Sequence, residues 1–266
     1  MSEPTAEPQP IRYERRESTA LITIDRPDRR NAIDGPTAVA LHEAFMRFES
    51  EPDARVLVLT GGGEQAFCAG ADLKAIETLG GRLDSAEGPL GITRLEASKP
   101  TIAAISGYCL AGGLELALWC DLRVATEGAM LGLTERRFGV PLIDGGTQRL
   151  PRIVGLGRAL ELILTGRMVS ASEALSIGLV SEVVADGEHL ERALELASQL
   201  ASFPQLAMLA DRRAVFTGLG TPLARGLELE ADSGPETFQE AVRGAARFAA
   251  GEGRGGAPVA AGAARS

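Results

Sequence analysis

Lysine is almost absent from this chain: Lys74 and Lys99 are its only two among 266 residues. Histidine is as scarce, at His42 and His189, and neither lies beside a Ser or Cys nucleophile signature. With no Gly-x-Ser-x-Gly elbow either, hydrolysis through a Ser–His or Cys–His pair has no candidate. No Walker loop is present, and no Gly-x-Gly-x-x-Gly fingerprint follows a strand-like run, so neither nucleotide-phosphate cradle is available. The three cysteines, Cys68, Cys109 and Cys120, lack metal or redox spacing, and no other cluster has metal-ligand spacing, so no metal is expected. The apolar neighbours of the cysteines mark them as small buried hydrophobes kept reduced. No apolar run reaches the ~18 residues of a membrane-spanning helix. Met1–Pro10 is polar and Pro-rich rather than a secretory leader, which makes the cytoplasm the expected compartment. Excess acid, a formal net charge of −9, argues against a nucleic-acid partner, since duplex phosphates call for a basic face.

The composition that remains, 45% hydrophobic and 24% charged, is that of an ordinary globular protein. Arginine supplies nearly all the positive charge; together with the Ala and Gly richness, this reflects nucleotide composition rather than a function. Short apolar runs at Ala20–Asp25, Arg55–Thr60, Thr101–Ser106 and Asp121–Ala125 predict strands. Leu41–Phe48, Leu114–Trp119 and Glu188–Leu200 carry helical patterns. Their alternation implies an α/β core over 11–203. After Pro204 the helical stretches Gln205–Phe216, Pro222–Ala231 and Pro235–Phe248 follow with no strand among them, giving a helical region over 204–250. The ends, 1–10 and 251–266, hold too few large apolar groups to pack and read as disordered tails. No internal sequence repeat is visible.

Two Gly-bounded segments carry the chemistry: Ala66-Phe67-Cys68-Ala69-Gly70-Ala71-Asp72 and Gly107–Leu116. Each follows a predicted strand and opens a helix, where unpaired N–H groups and the positive end of the macrodipole lie. Two such ends aimed at one point form an anion clamp made of main chain. Glu115 sits one helical turn beyond Gly112 in an apolar stretch. It is either a first-turn acid placed for the dipole or a buried carboxylate with a raised pKa, suited to acid–base work. Glu135, before Arg136 and Arg137, reads on its own as a surface ion-pair partner, worth about 0–1 kcal/mol. Asp144, before Gly145-Gly146, reads as a helix N-cap.

Five stretches in order resemble the crotonase, or enoyl-CoA hydratase/isomerase, family over roughly residues 11–250. They are Arg26-Pro27…Arg30-Asn31-Ala32-Ile33, Ala66–Lys74, Lys99–Ala104, Gly107–Asp121 and Gly145–Leu150. The resemblance implies a spiral of ββα turns and a C-terminal helical region that builds homotrimers or dimers of trimers. It implies an acyl-CoA thioester carbonyl held by the N–H groups of Ala71 and Gly112. Hydratases of the family carry two glutamates, and Glu115 and Glu135 fill both positions. A water held between them would add across a C2=C3 bond with no cofactor, coenzyme A entering as part of the substrate. Coenzyme A would be gripped near Ala32, Ala69 and Asp72, with Lys74 and Arg29 as phosphate candidates. Phe248, with Arg254 in place of the family's lysine, would lie near the adenine. Ile143 and Asp144 replace a small, Gly-rich stretch beside the water site, which makes Asp144 a possible third acid–base group. The segment Glu77–Ser98 is expected to wall the acyl pocket.

The alternatives are an enoyl-CoA isomerase, in which a single carboxylate, Glu135, suffices, another crotonase-type acyl-CoA reaction, and a non-catalytic acyl-CoA- or RNA-binding member. The apolar side chains Trp119, Leu131, Leu133 and Phe138, together with the sheetless helical stretch, point to packing between subunits.

Overall fold

The computed structural model describes residues 9–252; most of both expected tails, and Arg254, lie outside the described residues. The chain divides into two compact units, Met1–Ala197 and Ser198–Ser266. In sequence this boundary precedes the expected 203/204. The turn at Pro204 belongs inside the second unit, where the Gln205 side chain donates to the carbonyls of Leu200 and Phe203 at 3.0 and 2.8 Å.

The first unit opens with a hairpin, β1 (Ile11–Arg16) antiparallel to β2 (Thr19–Ile24), and the helix α1 (Gly35–Ser50). Asp34 caps α1 by accepting from the Thr37 N–H at 2.9 Å. At its other end the Lys99 ammonium donates to the carbonyls of Phe48 and Glu51, which gives one of the two lysines a structural task. Three strand pairs follow: β3 (Val56–Gly61) with β4 (Ala66–Cys68), β5 (Thr101–Ile105) with β6 (Tyr108–Leu110), and β7 (Leu122–Thr126) with β8 (Met130–Gly132). The first strand of each pair enters a six-stranded sheet of order β1-β2-β3-β5-β7-β10, and the second enters a four-stranded sheet of order β4-β6-β8-β9. Here β9 is Met168–Ser170 and β10 is Glu182–Val184.

All pairings along β2-β3-β5-β7-β10 are parallel. β2 and β3 are buried at every position, matching runs such as Val-Leu-Val-Leu that a sheet covered on both faces requires. The short second strands explain why no repeat shows in sequence: each contributes only three residues, too few for a period-two pattern.

Between the pairs lie the helical parts of the spiral. After β4 the chain runs through an irregular 3-10 stretch, Leu73–Arg82, broken at Ala75. This corrects the expectation of a regular helix there and removes most of its macrodipole. Asp72 starts the stretch by accepting from the Lys74 N–H at 3.1 Å. After β6 comes α2 (Gly112–Trp119), buried at every residue. After β8 come a 3-10 turn, Thr134–Phe138, then α3 (Gly146–Val154), α4 (Leu156–Thr165), α5 (Ala171–Ser176) and α6 (His189–Ser202).

Trp119, Leu131 and Leu133 belong to the core, not to a surface. The indole N–H of Trp119 donates to the Leu95 carbonyl at 2.8 Å, and its ring meets Phe45 edge-on at 5.5 Å. Of that group only Phe138 is exposed.

The second unit holds α7 (Gln205–Gly218), α8 (Leu223–Ala231) and α9 (Gly234–Ala249). Glu240 on α9 accepts from the Ala207 N–H at 2.8 Å and so ties α9 to α7. Many apolar side chains of the unit, Leu206, Val215, Leu223, Leu227 and Phe238 among them, are exposed.

α2 packs onto β4 at Gly113, where an added Cβ would stand 2.0 Å from the Cys68 carbonyl oxygen. Helix propensity alone favours Ala over Gly by about 1 kcal/mol. Gly113→Ala is nevertheless expected to destabilise the protein by more than about 2 kcal/mol, because the Cys68 backbone of β4 occupies the space the methyl would need. Denaturant unfolding tests this, and an unchanged or raised midpoint refutes it.

Candidate active site

The two Gly-bounded segments meet edge to edge. Gly70, at φ +87°, approaches so closely that a Cβ on it would lie 2.8 Å from the Gly112 nitrogen. An isolated parallel bridge holds the first segment to Ile33: Ile33 N–H donates to Gly70 O, and Asp72 N–H donates to Ile33 O, both at 2.8 Å. That pattern leaves the intervening Ala71 N–H outside the bridge. In the second segment Ala111 takes φ +56° and ψ −133°, a backbone state that costs a non-Gly residue about 1–3 kcal/mol. It precedes the free first turn of α2, whose first N–H is that of Gly112. Ala71 and Gly112 line one cavity, of about 340 Å³.

The cavity also receives Glu115 and Glu135, brought together from α2 and from the 3-10 turn after β8. Both are buried, which corrects the surface ion-pair reading of Glu135. Glu115 Oε1 accepts the N–H of Gly146 at 2.7 Å and that of Asp144 at 3.1 Å. The first turn of α3 is therefore capped by a glutamate 31 residues earlier in the chain. Neither oxygen of Glu135 has a hydrogen-bond partner among the described residues. Burial pushes the Glu115 carboxyl up to about 8, helped by the charges of Asp144 and Glu135 and opposed by the two N–H donors. Burial likewise raises Glu135 to about 7, with Asp144 adding to the rise and its own backbone N–H and Arg136 opposing it.

Asp144 does not cap α3; Gly145 holds that position with no side-chain bond. The Asp144 carboxylate is buried and accepts from the Leu90 N–H at 3.1 Å and from the Thr93 hydroxyl. Burial raises its pKa, against those two donors and the guanidiniums of Arg94 and Arg149. Three carboxyl groups thus face one cavity, yet no cluster of His, Cys, Asp or Glu among the described residues could hold a metal ion.

Apart from Thr134 the rest of the lining is apolar. Leu79, Leu83, Pro89 and Leu90 come from the segment expected to wall the pocket, Leu73 and Ile76 from just before it, and Phe138, Val140, Pro141 and Ile143 from the opposite side. No Lys or Arg among the described residues lines it.

Among the expected coenzyme A contacts, Ala69 lines the cavity and Ala32 is buried nearby in sequence to the Ile33 bridge. Arg29 and Lys74 are exposed outside the cavity lining. Phe248 sits on α9 with an exposed ring. Asp72 has another occupation: its carboxylate takes the Lys74 N–H and the Arg26 guanidinium, the latter at 3.1 Å.

Arg26 is a residue that sequence reasoning left within a motif and gave no role. Its guanidinium also grips Asp34 at 2.8 Å and the Ala32 carbonyl, and so pins the loop beneath the Ala71 N–H. Its position five residues before Asn31, whose side chain bonds back to it at 3.0 Å, is the available signal.

Two mainly parallel sheets, each with one antiparallel edge strand, and strands that lead into an acid-lined apolar cavity define the crotonase fold. The chain belongs to the enoyl-CoA hydratase/isomerase family, whose model matches residues 14–252. It is 38% identical to the crotonyl-CoA hydratase of Syntrophomonas wolfei, over 84% of this chain and 87% of that one. It is also 38% identical to the (E)-benzylidenesuccinyl-CoA hydratase of Thauera aromatica, over 82% and 86% of the two chains. Among solved structures it superimposes on an enoyl-CoA hydratase from Mycobacterium marinum with a TM-score of 0.86, at 34% identity, covering 91% of this chain and 96% of that one.

Because the folded-state pKa of Glu135 lies above the usual carboxylate value, the folded protein holds that proton where the unfolded chain releases it. Its burial is therefore without penalty below about pH 4.5 and costs progressively more stability as the pH rises through about 7. Glu135→Gln should match the parent in unfolding free energy near pH 4 and exceed it by about 1–3 kcal/mol at pH 9. Equal stabilities at pH 9 would contradict the buried, unpartnered carboxylate.

Proposed function

We propose that this protein is an enoyl-CoA hydratase, adding water across the C2=C3 bond of a 2-enoyl-CoA thioester. The observation that carries the reading is the pair Glu115 and Glu135, buried and lining the same cavity as Ala71 and Gly112. The main-chain N–H groups of Ala71 and Gly112 donate to the thioester carbonyl oxygen, each worth roughly 3–4 kcal/mol once negative charge develops there. A water lies between the two carboxyl groups. One carboxylate takes a proton from it as its oxygen bonds to C3, and the other carboxylic acid gives a proton to C2 of the resulting enolate. Every proton is moved by the chain's own groups, so the reading requires no cofactor.

One acid and one base are needed at once, and the pair provides them when it holds one proton. The two groups titrate together, so the limbs of a pH profile belong to the pair. With pKa values of about 7 and about 8, kcat/KM is expected to be bell-shaped, falling below neutrality as the base is protonated and above about pH 8 as the acid is lost.

Loss of the conjugated thioester absorbance of crotonyl-CoA, with incorporation of heavy oxygen from labelled water, measures hydration directly. Glu115→Ala and Glu135→Ala are each expected to lower kcat by at least about a hundredfold. Wild-type activity no higher than that of the double variant rejects the reading. Isomerisation of a 3-enoyl-CoA without label in the product would place the enzyme with the isomerases instead. Substrate chemistry and the three free, buried cysteines favour the cytoplasm as its compartment; no helix among the described residues is long and apolar enough to cross a membrane.

The exposed apolar side chains of α7–α9 support assembly through the second unit, as a homotrimer or a dimer of trimers. At about 1.5–3 kcal/mol for each large side chain buried, several of them outweigh the cost of association. Sedimentation should therefore show an oligomer, and replacement of Leu223, Leu227 and Phe238 by Asp should dissociate it. A monomeric wild-type protein refutes the assembly.

A further inference from the structure

Asp144 is buried beside the two glutamates, and the hydration chemistry above does not use it. Three of its groups bond in three directions. Its main-chain N–H donates to Glu115 Oε1 at 3.1 Å. Its carboxylate accepts from the Leu90 N–H at 3.1 Å and from the Thr93 hydroxyl. Its carbonyl accepts from the Arg149 guanidinium at 3.0 Å, and that guanidinium also holds the Thr93 carbonyl at 2.5 Å. Leu90 in turn lies on Gly112: its Cδ1 is 2.6 Å from where a Cβ on that glycine would stand.

We propose that Asp144 is a positioning residue for hydration: it orients Glu115 through its main chain, presses Leu90 against the oxyanion residue Gly112 through its carboxylate, and sets a negative charge beside the glutamate pair. The proposal rests on the hydratase reading for its catalytic consequence, though not for its geometry. Bonds on both sides matter because a carboxyl group free to rotate loses the alignment that proximity supplies. The charge matters because a neighbouring anion favours protonation of a carboxyl group, and the pair needs one proton to work.

The charged groups facing this site are few. Glu115 meets Asp144, Glu135 and Arg149; Glu135 meets Asp144 and Arg136; Asp144 itself meets Arg94 and Arg149. Burial opposes the ionised form of Asp144 and raises its pKa, against the two donors and two guanidiniums around it.

Asp144→Asn keeps an acceptor for Leu90 and Thr93 and removes the charge. Its kcat/KM profile is expected to move as a whole to lower pH, by about half to one unit, with KM nearly unchanged. Asp144→Ala also cuts the tether, and kcat should fall about tenfold or more while KM stays within about threefold. Thr93→Val, which removes one donor only, should lower kcat less and leave the profile in place. A profile of Asp144→Asn superimposable on the wild type overturns the electrostatic part of the proposal. An unchanged kcat in Asp144→Ala overturns the tether, and should that variant not fold, an unchanged kcat in Thr93→Val does so instead. An activity-free measurement separates this inference from the hydratase reading. The carboxyl C=O infrared band of the substrate-free protein, identified by its loss in Glu115→Gln, should titrate at lower pH in Asp144→Asn. A band that does not move refutes the electrostatic part of the inference whether or not the enzyme hydrates enoyl-CoA.

Discussion

The close approach of two backbone segments at Gly70 and Gly112 is the constraint on which the site depends. A side chain at Gly70 would separate the segments, since its Cβ would press on the Gly112 nitrogen and the Ala111 side chain, and one at Gly112 would displace Leu90. Contact at this point sets the N–H groups of Ala71 and Gly112 on one cavity. It also brings α2 against β4 at Gly113 and so directs Glu115 into the same cavity. The two-sheet spiral supplies the geometry. Each second strand is short and parallel to the next, so the chain leaves β4 and β6 side by side and pointing the same way. The strained backbone of Ala111 and the cluster of Arg26, Asp34 and Asp72 fit the same account: local cost is accepted where two loops are held at a fixed separation.

Buried acids are the second cost. Neither glutamate is ion-paired, and one has no hydrogen-bond partner among the described residues. In a protein organised only for stability such groups would be replaced by apolar ones. The price in stability is concentrated on one wall of one cavity, where raised pKa values place the groups near neutrality, the range in which a carboxyl can both take and give a proton.

Much of this was legible in the sequence because it rests on local signals. The long strands β2, β3, β5 and β7 are dense apolar runs, and each of the three C-terminal helices starts at a proline, Pro204, Pro222 or Pro235. The anion clamp was legible from glycines between predicted strands and helices. The three-residue strands were not, because they are too short to show a period. Glu135 looked like a surface acid since its neighbours Arg136 and Arg137 are charged; the 3-10 turn points the glutamate inward and leaves the arginines outside. Asp144 looked like a cap because Asp before Gly-Gly commonly is one. Long-range partners decided otherwise: Glu115 takes the α3 N–H, and Leu90 and Thr93, more than fifty residues earlier, take the aspartate. Bonds spanning such separations leave no spacing for a sequence to display.

The distribution of charge also limits the chemistry. Three carboxyl groups and, among the described residues, no basic side chain line the cavity, so an enolate forming there meets no lining cation from those residues. Its negative charge is met only by main-chain dipoles, and any further ionised carboxylate nearby raises its energy. A cavity of this kind favours enolate formation only if the glutamate pair enters the reaction carrying a proton and surrenders it as the enolate charge appears on the oxyanion side. Proton delivery to C2 and charge stabilisation at the thioester oxygen are then one electrostatic problem.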